Sequence, residues 1–199
     1  MAALHQDLTS VPEQPDLSII VPFYNEEDNI GRMYAAIVAA IEPLGIGFEM
    51  LFVNDGSKDR TLERAIELAR QDERLRIVQF RRNYGQTPAM AAGIEHAQGK
   101  VLVTMDGDLQ NDPRDIPRLV REIESGQDVV VGWRIRRKDR LLSRKVPSRA
   151  ANWLIGKVTG VRVHDAGCSL KAYRASVIKS IPLYSEMHRF IPALSSLAG

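Results

Sequence analysis

The chain has 199 residues, of which 44% are hydrophobic and 26% are charged, as is usual for a globular protein with a full hydrophobic core. Its single cysteine cannot form an internal disulfide, no apolar segment has the length of a membrane span, and the polar N-terminus lacks the apolar region of a signal peptide. These features argue against a disulfide-rich secreted protein, and we expect a domain that lies in the cytoplasm or faces it.

The net charge of +2 hides an asymmetry along the chain. Residues 1–132 carry 13 Lys or Arg and 22 Asp or Glu, whereas residues 133–199 carry 14 and 3. The basic residues are densest between Trp133 and Arg149, where eight of them stand with one acid. Such a segment suits nucleic acid, an anionic membrane surface or a phosphorylated substrate, and it is also compatible with a solvated basic face.

The hydrophobic periodicity predicts strands that alternate with helices. The predicted strands are short apolar runs at 17–22, 48–53, 75–80, 101–105 and 128–132. The predicted helices lie between them at 26–41, 59–70, 87–97 and from 113 to about 124. The alternation predicts an α/β fold with parallel strand pairing, because parallel strands are joined by helical crossovers.

Carboxylates follow three of the predicted strands. Glu26 comes after the first strand, Asp55 after the second, and Asp106 and Asp108 after the fourth. Ligands of such sheets bind beyond the carboxyl ends of the strands, and carboxylates gathered there need a cation, hydrogen-bond donors or water. A divalent ion that bridges substrate phosphates would meet this need, and Mg²⁺ or Mn²⁺ prefers oxygen ligands. Asp106 and Asp108 can both reach such an ion if Gly107 lets the backbone turn sharply.

Other nucleotide and metal chemistries lack their motifs. No Gly-x-Gly-x-x-Gly or Gly-x4-Gly-Lys-Ser/Thr loop follows the first strand, which argues against dinucleotide and P-loop binding. No Cys and His residues have the spacing of a zinc site. His164 and His188 lie near other candidate residues, and their role stays open.

Several segments resemble glycosyltransferase family 2. Three of them occur in the order of that family: Ile20-Val-Pro-Phe-Tyr-Asn-Glu-Glu27, Val53-Asn-Asp-Gly-Ser-Lys-Asp-Arg-Thr61 and Met105-Asp-Gly-Asp-Leu-Gln-Asn-Asp-Pro113. Within the family, the chain is most similar to the polyprenyl-phosphate glycosyltransferases, the group that contains the dolichyl-phosphate mannose synthases. This narrower resemblance also includes Asp-Leu-Gln110, Arg82-Asn-Tyr-Gly-Gln86 and Asp165-Ala-Gly-Cys-Ser-Leu-Lys-Ala-Tyr-Arg174.

The resemblance implies a GT-A fold, with a mostly parallel central sheet flanked by helices, and a metal-dependent, inverting hexosyltransferase. The sugar would pass from a UDP- or GDP-sugar to a polyprenyl or dolichyl phosphate at the cytoplasmic face of the membrane. Mg²⁺ or Mn²⁺ would be held by Asp108 and Gln110. The donor-binding residues that it implies are Pro22, Tyr24, Asn25, Glu26, Asp55 and Asp106. The residues implied to hold the acceptor phosphate are Arg134, Arg144, Lys145 and Ser148. The residues implied to be catalytic are Asp106, Asp108, Asp165 and Arg134.

We expect a flexible tail over residues 1–16 and one GT-A domain over 17–199, with a donor half at about 17–132 and a basic acceptor half at about 133–199. The segment Val146 to Val158 suits a helix at a membrane surface and equally a core helix. Aromatic residues are not interleaved with the basic run, so no nucleic-acid partner is expected. Family members continue beyond Gly199, so we expect a shortened chain, and a homo-oligomer formed through the further segments stays open.

Three other functions stay open at this point. The first is a family 2 transferase that acts on a glycan or protein hydroxyl, for which Asp165 is the candidate base. The second is a sugar-1-phosphate nucleotidyltransferase, although Tyr24-Asn-Glu-Glu27 stands where a Gly-rich basic loop is expected. The third is a non-catalytic module that binds sugar nucleotides. The sequence does not separate UDP-glucose, GDP-mannose and UDP-N-acetylglucosamine as donors.

Overall fold

A computed structural model describes residues 14–132 and 168–180. The strands of this part are β1 (Leu17–Phe23), β2 (Phe48–Asn54), β3 (Leu75–Gln79), β4 (Val101–Thr104), β5 (Val129–Val131) and β6 (Lys171–Arg174). The helices are α1 (Ile30–Ile41), α2 (Thr61–Ala69), α3 (Gln86–His96), α4 (Ile116–Glu124) and α5 (Ala175–Ile178). Two short 3-10 turns precede β2 and α4, at Glu42–Leu44 and Pro113–Asp115. None of the helices in these two ranges is long and apolar enough to cross a membrane.

The strands form a six-stranded sheet in the order β3-β2-β1-β4-β6-β5. β1 pairs in parallel with β2 and with β4, and β2 pairs in parallel with β3. β6 runs antiparallel to both of its neighbours, β4 and β5. The mostly parallel sheet expected from the sequence is therefore confirmed. The parallel pairing does not extend to β5, because β6 lies between β5 and β4.

β6 was not predicted from the sequence. It has four residues, and it places Lys171 at 3% exposure next to the fully buried Ala172 and Tyr173. A buried lysine within so short a strand hides both the apolar run and the alternation that identify strands in a sequence.

The sheet has a hydrophobic core on each face. Alternate side chains of β1 point to opposite faces, as in any strand. Ile19 and Val21 belong to the core that also contains the buried side of α1 and α4, whereas Ile20 belongs to the core under α3. Each fully buried Ile or Leu contributes roughly 1.5–3 kcal/mol. The two cores fix the sheet and its carboxyl edge between layers of helices.

The first helix begins later than predicted. The apolar spacing predicts a helix from Glu26, but α1 begins at Ile30. Residues 26 and 27 use their backbone N–H groups to reach side chains after β2, with Glu26 N donating to Thr61 Oγ1 (2.8 Å) and Glu27 N to Asp59 Oδ2 (3.2 Å). The segment between β1 and α1 is thus held by tertiary contacts that local periodicity cannot show.

Candidate functional site

The acidic strand ends meet at one edge of the sheet. β1 lies between β2 and β4, so the residues that follow these three strands are neighbours in space. Asp55 N donates to Phe23 O (2.9 Å), and Met105 N donates to Ile20 O (3.1 Å). Asp55 and Asp106 therefore leave the sheet on the two sides of β1, as the sequence predicts for a parallel sheet.

The segment after β1 packs on the turn after β2. Asn25 N donates to Ser57 Oγ (3.0 Å), and Asn25 Oδ1 accepts from Lys58 N (2.8 Å). The turn itself is closed by Asn54 Oδ1, which accepts from Ser57 N (3.2 Å). The structure thus brings together two of the segments that carry the family resemblance. Asn25 serves this contact between the loops in addition to any role in donor binding.

The other residues implied to bind the donor lie close by. Pro22 is half-buried in β1, and Tyr24 has 41% of its surface exposed directly after that strand. Glu26 is half-buried, and its Oε2 accepts from Asn29 Nδ2 (2.6 Å). Glu26 thus has an internal partner, whereas Tyr24 presents its ring at the surface of the edge.

The carboxylate of Asp59 accepts hydrogen bonds from both loops, from Glu27 N on one side and from Thr61 on the other. Burial raises its pKa, but hydrogen bonds from the Thr61 hydroxyl and N–H and from the Glu27 N–H outweigh that effect, so the pKa of Asp59 lies below its ordinary value. Its carboxylate therefore stays ionised at neutral pH and can accept hydrogen bonds from both loops.

Asp55 is almost completely buried, at 3% exposure. Its Oδ1 accepts from Tyr84 N (2.7 Å), and its Oδ2 accepts from Gly85 N (2.9 Å). Hydrogen bonds from N–H groups to a carboxylate are among the stronger ones, so this side chain ties the end of β2 to the segment that leads into α3.

The loop after β4 contains the proposed metal ligands. Asp108 Oδ1 accepts from Gln110 N (3.0 Å), so Asp108 and Gln110 belong to one tight turn. Between them, Leu109 has a φ of 61°. Asn25 and Leu109 are the two non-glycine residues with positive φ in the described part of the chain, and both lie at this edge. Backbone strain of this kind costs about 1–3 kcal/mol and is concentrated at functional sites.

Gly107 lies in the loop after β4 and close to the ring of Phe23. Its φ is not in the left-handed region, unlike that of Leu109 two positions further along the same loop. A Cβ at position 107 would lie 2.5 Å from Cδ1 and Cε1 of Phe23. Glycine is required there because the loop passes directly over the ring of Phe23. The turn expected at this position is present, since Gly107 and Asp108 form a turn after β4.

Three contacts of this edge were not predicted. Gln86 Nε2 donates to Asp106 Oδ1. Asn111 Nδ2 donates to Ser169 Oγ (2.7 Å), and Thr104 Oγ1 donates to Ser169 O (3.1 Å). Gln86, Asn111 and Ser169 all lie in segments that carry the family resemblance, but the spacing along the sequence did not reveal that they meet.

A divalent ion would suit the oxygen atoms of Asp108 and Gln110. A Mg²⁺ ion is usually held by one or two carboxylates together with substrate phosphates, and such a site needs few protein ligands. Within residues 14–132 and 168–180, no group of three or more His, Cys, Asp or Glu side chains could hold a metal alone. The carboxylate of Asp108 and the amide oxygen of Gln110 are ligand types that fit such an ion.

The residues implied to hold the acceptor phosphate lie outside the described part of the chain. These are Arg134, Arg144, Lys145 and Ser148, and the same is true of Asp165 and of the segment Val146 to Val158. Most of the predicted tail, residues 1–13, also lies outside it. Cys168 and Ser169, which follow Asp165 closely in the sequence, contact Asn111 in the loop after β4.

The model of the family described as "Glycosyl transferase family 2" matches residues 18–181. The chain is 53% identical over 180 residues to a dodecaprenyl-phosphate galacturonate synthase of Rhizobium johnstonii, an alignment that covers 89% of this chain and 53% of the relative. It is 41% identical over 181 residues to an undecaprenyl-phosphate 4-deoxy-4-formamido-L-arabinose transferase of Edwardsiella ictaluri, with 90% and 55% covered. The chain thus spans about half the length of these curated relatives.

The fold is also that of a solved glycosyltransferase. Glucosyl-3-phosphoglycerate synthase of Mycobacterium tuberculosis, in complex with Mn²⁺, uridine diphosphate and glucosyl-3-phosphoglycerate, matches with a TM-score of 0.63 at 22% identity. The match covers 84% of this chain and 60% of that protein. The mostly parallel sheet with its helices is therefore a GT-A fold, as expected. The chain belongs to glycosyltransferase family 2, and its resemblance to the polyprenyl-phosphate group is confirmed by these relatives.

Proposed function

We propose that this protein is an inverting glycosyltransferase that moves a sugar from a nucleotide-sugar to a membrane polyprenyl phosphate. The observation that carries the proposal is the meeting of three acidic strand ends at one edge of the sheet, with the Asp106-Gly-Asp-Leu-Gln110 turn beside β1. The names of two relatives, at 53% and 41% identity, support a polyprenyl-phosphate acceptor.

The donor side of the reaction needs compensation of negative charge. The leaving group is a nucleoside diphosphate, and its departure concentrates charge on the diphosphate oxygens. A divalent ion bound by Asp108 and Gln110 would supply Lewis-acid stabilisation of that charge. Pro22, Tyr24, Asn25, Glu26 and Asp55 would form the nucleoside side, and Asp106 would face the ribose and the diphosphate.

The acceptor side needs cations rather than a general base. A phosphate monoester has a second pKa near 6, so it is largely dianionic at pH 7 and is already a nucleophile. Arginine binds such a group through paired hydrogen bonds. We assign this role to Arg134, Arg144, Lys145 and Ser148, in the basic part of the sequence. A hydroxyl acceptor would instead need a carboxylate base, for which Asp165 is the candidate.

The proposed acceptor places the reaction at a membrane surface. A polyprenyl phosphate keeps its chain in the bilayer and exposes its phosphate, so the basic second part of the sequence would approach an anionic surface. We propose the cytoplasmic face, because nucleotide-sugars are cytosolic in the family that the sequence resembles.

The test is sugar transfer by wild type, Asp108→Asn and Asp115→Asn. Asp115 is an exposed carboxylate at the start of α4 whose side chain does not cap the helix, which makes the same substitution there a matched control. UDP- and GDP-sugars are offered with undecaprenyl phosphate and Mn²⁺ or Mg²⁺. We expect Asp108→Asn to lower transfer by at least about 100-fold, since metal stabilisation supplies several kcal/mol, and Asp115→Asn to keep it.

Three outcomes would contradict parts of the proposal. Normal transfer by Asp108→Asn would show that the Asp108 carboxylate is not needed to bind the metal ion. Transfer that continues after chelation with EDTA would show that the reaction does not require a divalent ion. Transfer to a glycan or protein hydroxyl without any phosphorylated acceptor would favour the alternative that uses Asp165 as a base.

A further inference from the structure

The buried carboxylate of Asp55 holds the backbone that leads into α3. Its two oxygens accept from the consecutive N–H groups of Tyr84 and Gly85, at 2.7 and 2.9 Å, and only 3% of the residue is exposed. Each oxygen thus uses one of its acceptor positions to hold the backbone. The geometry therefore favours a role for Asp55 in fixing the segment that precedes α3.

That segment, the 80–85 loop, lies tightly against the turn after β2. Phe80 N donates to Asn54 O (2.9 Å). A Cβ on Gly56 would come within 2.4 Å of the carbonyl carbon of Arg82, so the two backbones are in direct contact. The 80–85 loop is thus bonded at its beginning to Asn54 and at its end to Asp55, and its middle lies against Gly56.

Helix α3 begins directly after the 80–85 loop, at Gln86. Its body is fixed close to the sheet, since a Cβ on Gly93 would lie 2.3 Å from Cγ2 of Ile20. The side chain of Gln86 extends across the edge, and its Nε2 donates to Oδ1 of Asp106. A continuous path therefore runs from Asp55, after β2, to Asp106, after β4, and it passes over β1, which separates the two strands.

We propose that Gln86 is a positioning residue for the Asp106 carboxylate, and that Asp55 acts on the donor site through the start of α3 and Gln86. A neutral amide can orient a carboxylate by a hydrogen bond and leave its negative charge in place. A lysine or arginine at the same position would neutralise that charge. Supporting groups that hold a functional side chain by hydrogen bonds commonly matter for affinity as much as the contacting group. This inference rests on the proposed donor-binding role of Asp106.

The first test is a double-mutant cycle on nucleotide affinity. Calorimetry with UDP and with GDP, each with Mn²⁺, compares wild type, Gln86→Met, Asp55→Asn and the double variant. Methionine keeps the length and helix propensity of glutamine and lacks its donor. We expect Gln86→Met to weaken binding about tenfold, as for a lost hydrogen bond to a charged group. The double variant should be no weaker than Asp55→Asn alone by more than about twofold.

Two results of this cycle would overturn the inference. Unchanged affinity in Gln86→Met would show that its bond to Asp106 does not matter. Fold-changes that multiply in the double variant would show that Asp55 and Gln86 act independently. The control is Gln127→Met, an exposed glutamine before β5 for which no effect on affinity is expected.

A second measurement does not depend on donor binding. In the ¹⁵N-labelled protein, Asp55→Asn should shift the side-chain amide resonance of Gln86, although the two side chains do not share a hydrogen bond. An unmoved resonance would overturn the path. If neither nucleotide binds to wild type, the proposed function fails, and this resonance alone then decides whether Asp55 controls Gln86.

A third variant covers the case in which Asp55→Asn does not fold. A Cβ on Gly85 meets nothing within 4 Å, but its φ of 96° is unfavourable for alanine. Gly85→Ala should therefore displace the start of α3 while the Asp55 carboxylate itself is kept, although the bond from the N–H of residue 85 to that carboxylate is strained. We expect it to weaken nucleotide binding and to be non-additive with Gln86→Met. Full additivity of these two would equally overturn the inference.

Discussion

Asn111 and Ser169 join two parts of the chain that lie 58 positions apart. Asn111 Nδ2 donates to Ser169 Oγ at 2.7 Å, and Asn111 is only 6% exposed. Cys168 Sγ also donates to Asn111 Oδ1, at 3.6 Å. The loop that carries Asp106 and Asp108 is thereby attached to the start of β6.

We expect Asn111→Ala to destabilise the protein by about 1–3 kcal/mol, because it removes a buried donor and leaves the Ser169 hydroxyl without this partner. Ser169→Ala should cost about 1 kcal/mol. Urea unfolding followed by circular dichroism measures both values. Because the two residues are bonded to each other, the double variant should cost less than the sum of the single variants.

The control for this pair is Ser125→Ala, which removes an exposed hydroxyl that bonds to Glu122 O. A surface change of this kind should stay within about 0.5 kcal/mol of wild type. Strictly additive effects of Asn111→Ala and Ser169→Ala would show that the link between the loop and β6 adds nothing to stability.

The sequence predicts most of the sheet and the location of the site. The apolar runs of β1 and β2 and the spacing of α1 and α4 identify these elements, because burial on one face or both leaves a period that can be read along the chain. The rule for parallel strands then predicts that Asp55 and Asp106 lie at one edge, as the structure shows.

The remaining features depend on contacts between distant segments. β6 contains the buried Lys171, and its pairing with β4 is decided by register rather than by local pattern. The bond from Gln86 to Asp106 bridges 20 positions and crosses the end of β1. Position 107 needs glycine because the ring of Phe23, a residue of β1, lies too close for a Cβ. None of these leaves a periodic signal in the sequence.

The close approach of Gly107 to Phe23 predicts a packing defect. In Gly107→Ala, the new Cβ would lie 2.5 Å from the Phe23 ring, which is 2% exposed and packs against Phe52 with ring centroids 4.9 Å apart. Overpacking of this kind costs about 1–3 kcal/mol. We expect thermal unfolding to show that loss, and sugar transfer to fall because Asp106 and Asp108 flank the displaced residue.

Gly31→Ala is the matched control for this substitution. Gly31 is exposed within α1, and a Cβ there meets nothing within 4 Å. Alanine is the better helix former, so Gly31→Ala should stabilise the protein by about 0.5–1 kcal/mol. If Gly107→Ala also stabilised the protein, as expected for Gly31→Ala, the packing explanation for Gly107 would be contradicted.

A pH-dependent contribution to stability is expected from Asp72, away from the site. Its Oδ1 accepts from Arg74 Nε (2.9 Å), and its Oδ2 accepts from Arg74 Nη2 and from Tyr34 Oη (both 2.8 Å). Hydrogen bonding to Arg74 is the main reason that the pKa of Asp72 falls to about 2, against a partial opposing effect of burial. The carboxylate is therefore held in its ionised form.

The sign of the effect follows from the depressed pKa. An aspartate in the unfolded chain titrates near pH 3.9, so the ionised Asp72 contributes its full stabilisation, about 2 kcal/mol, above that pH and loses it as the pH falls towards 2. Asp72→Asn should therefore be less stable than wild type at pH 7. Urea unfolding should show that the difference shrinks by about 1 kcal/mol between pH 5 and pH 3.

The neighbouring Glu73 provides the comparison, since it is exposed and one position away. Glu73→Gln should change the free energy of unfolding by no more than about 0.5 kcal/mol at pH 7. If the difference between wild type and Asp72→Asn were the same at pH 5 and pH 3, the stabilisation would come from the shape of the cluster rather than from its charge. A decrease towards low pH would instead assign it to the ion pair of Asp72 with Arg74.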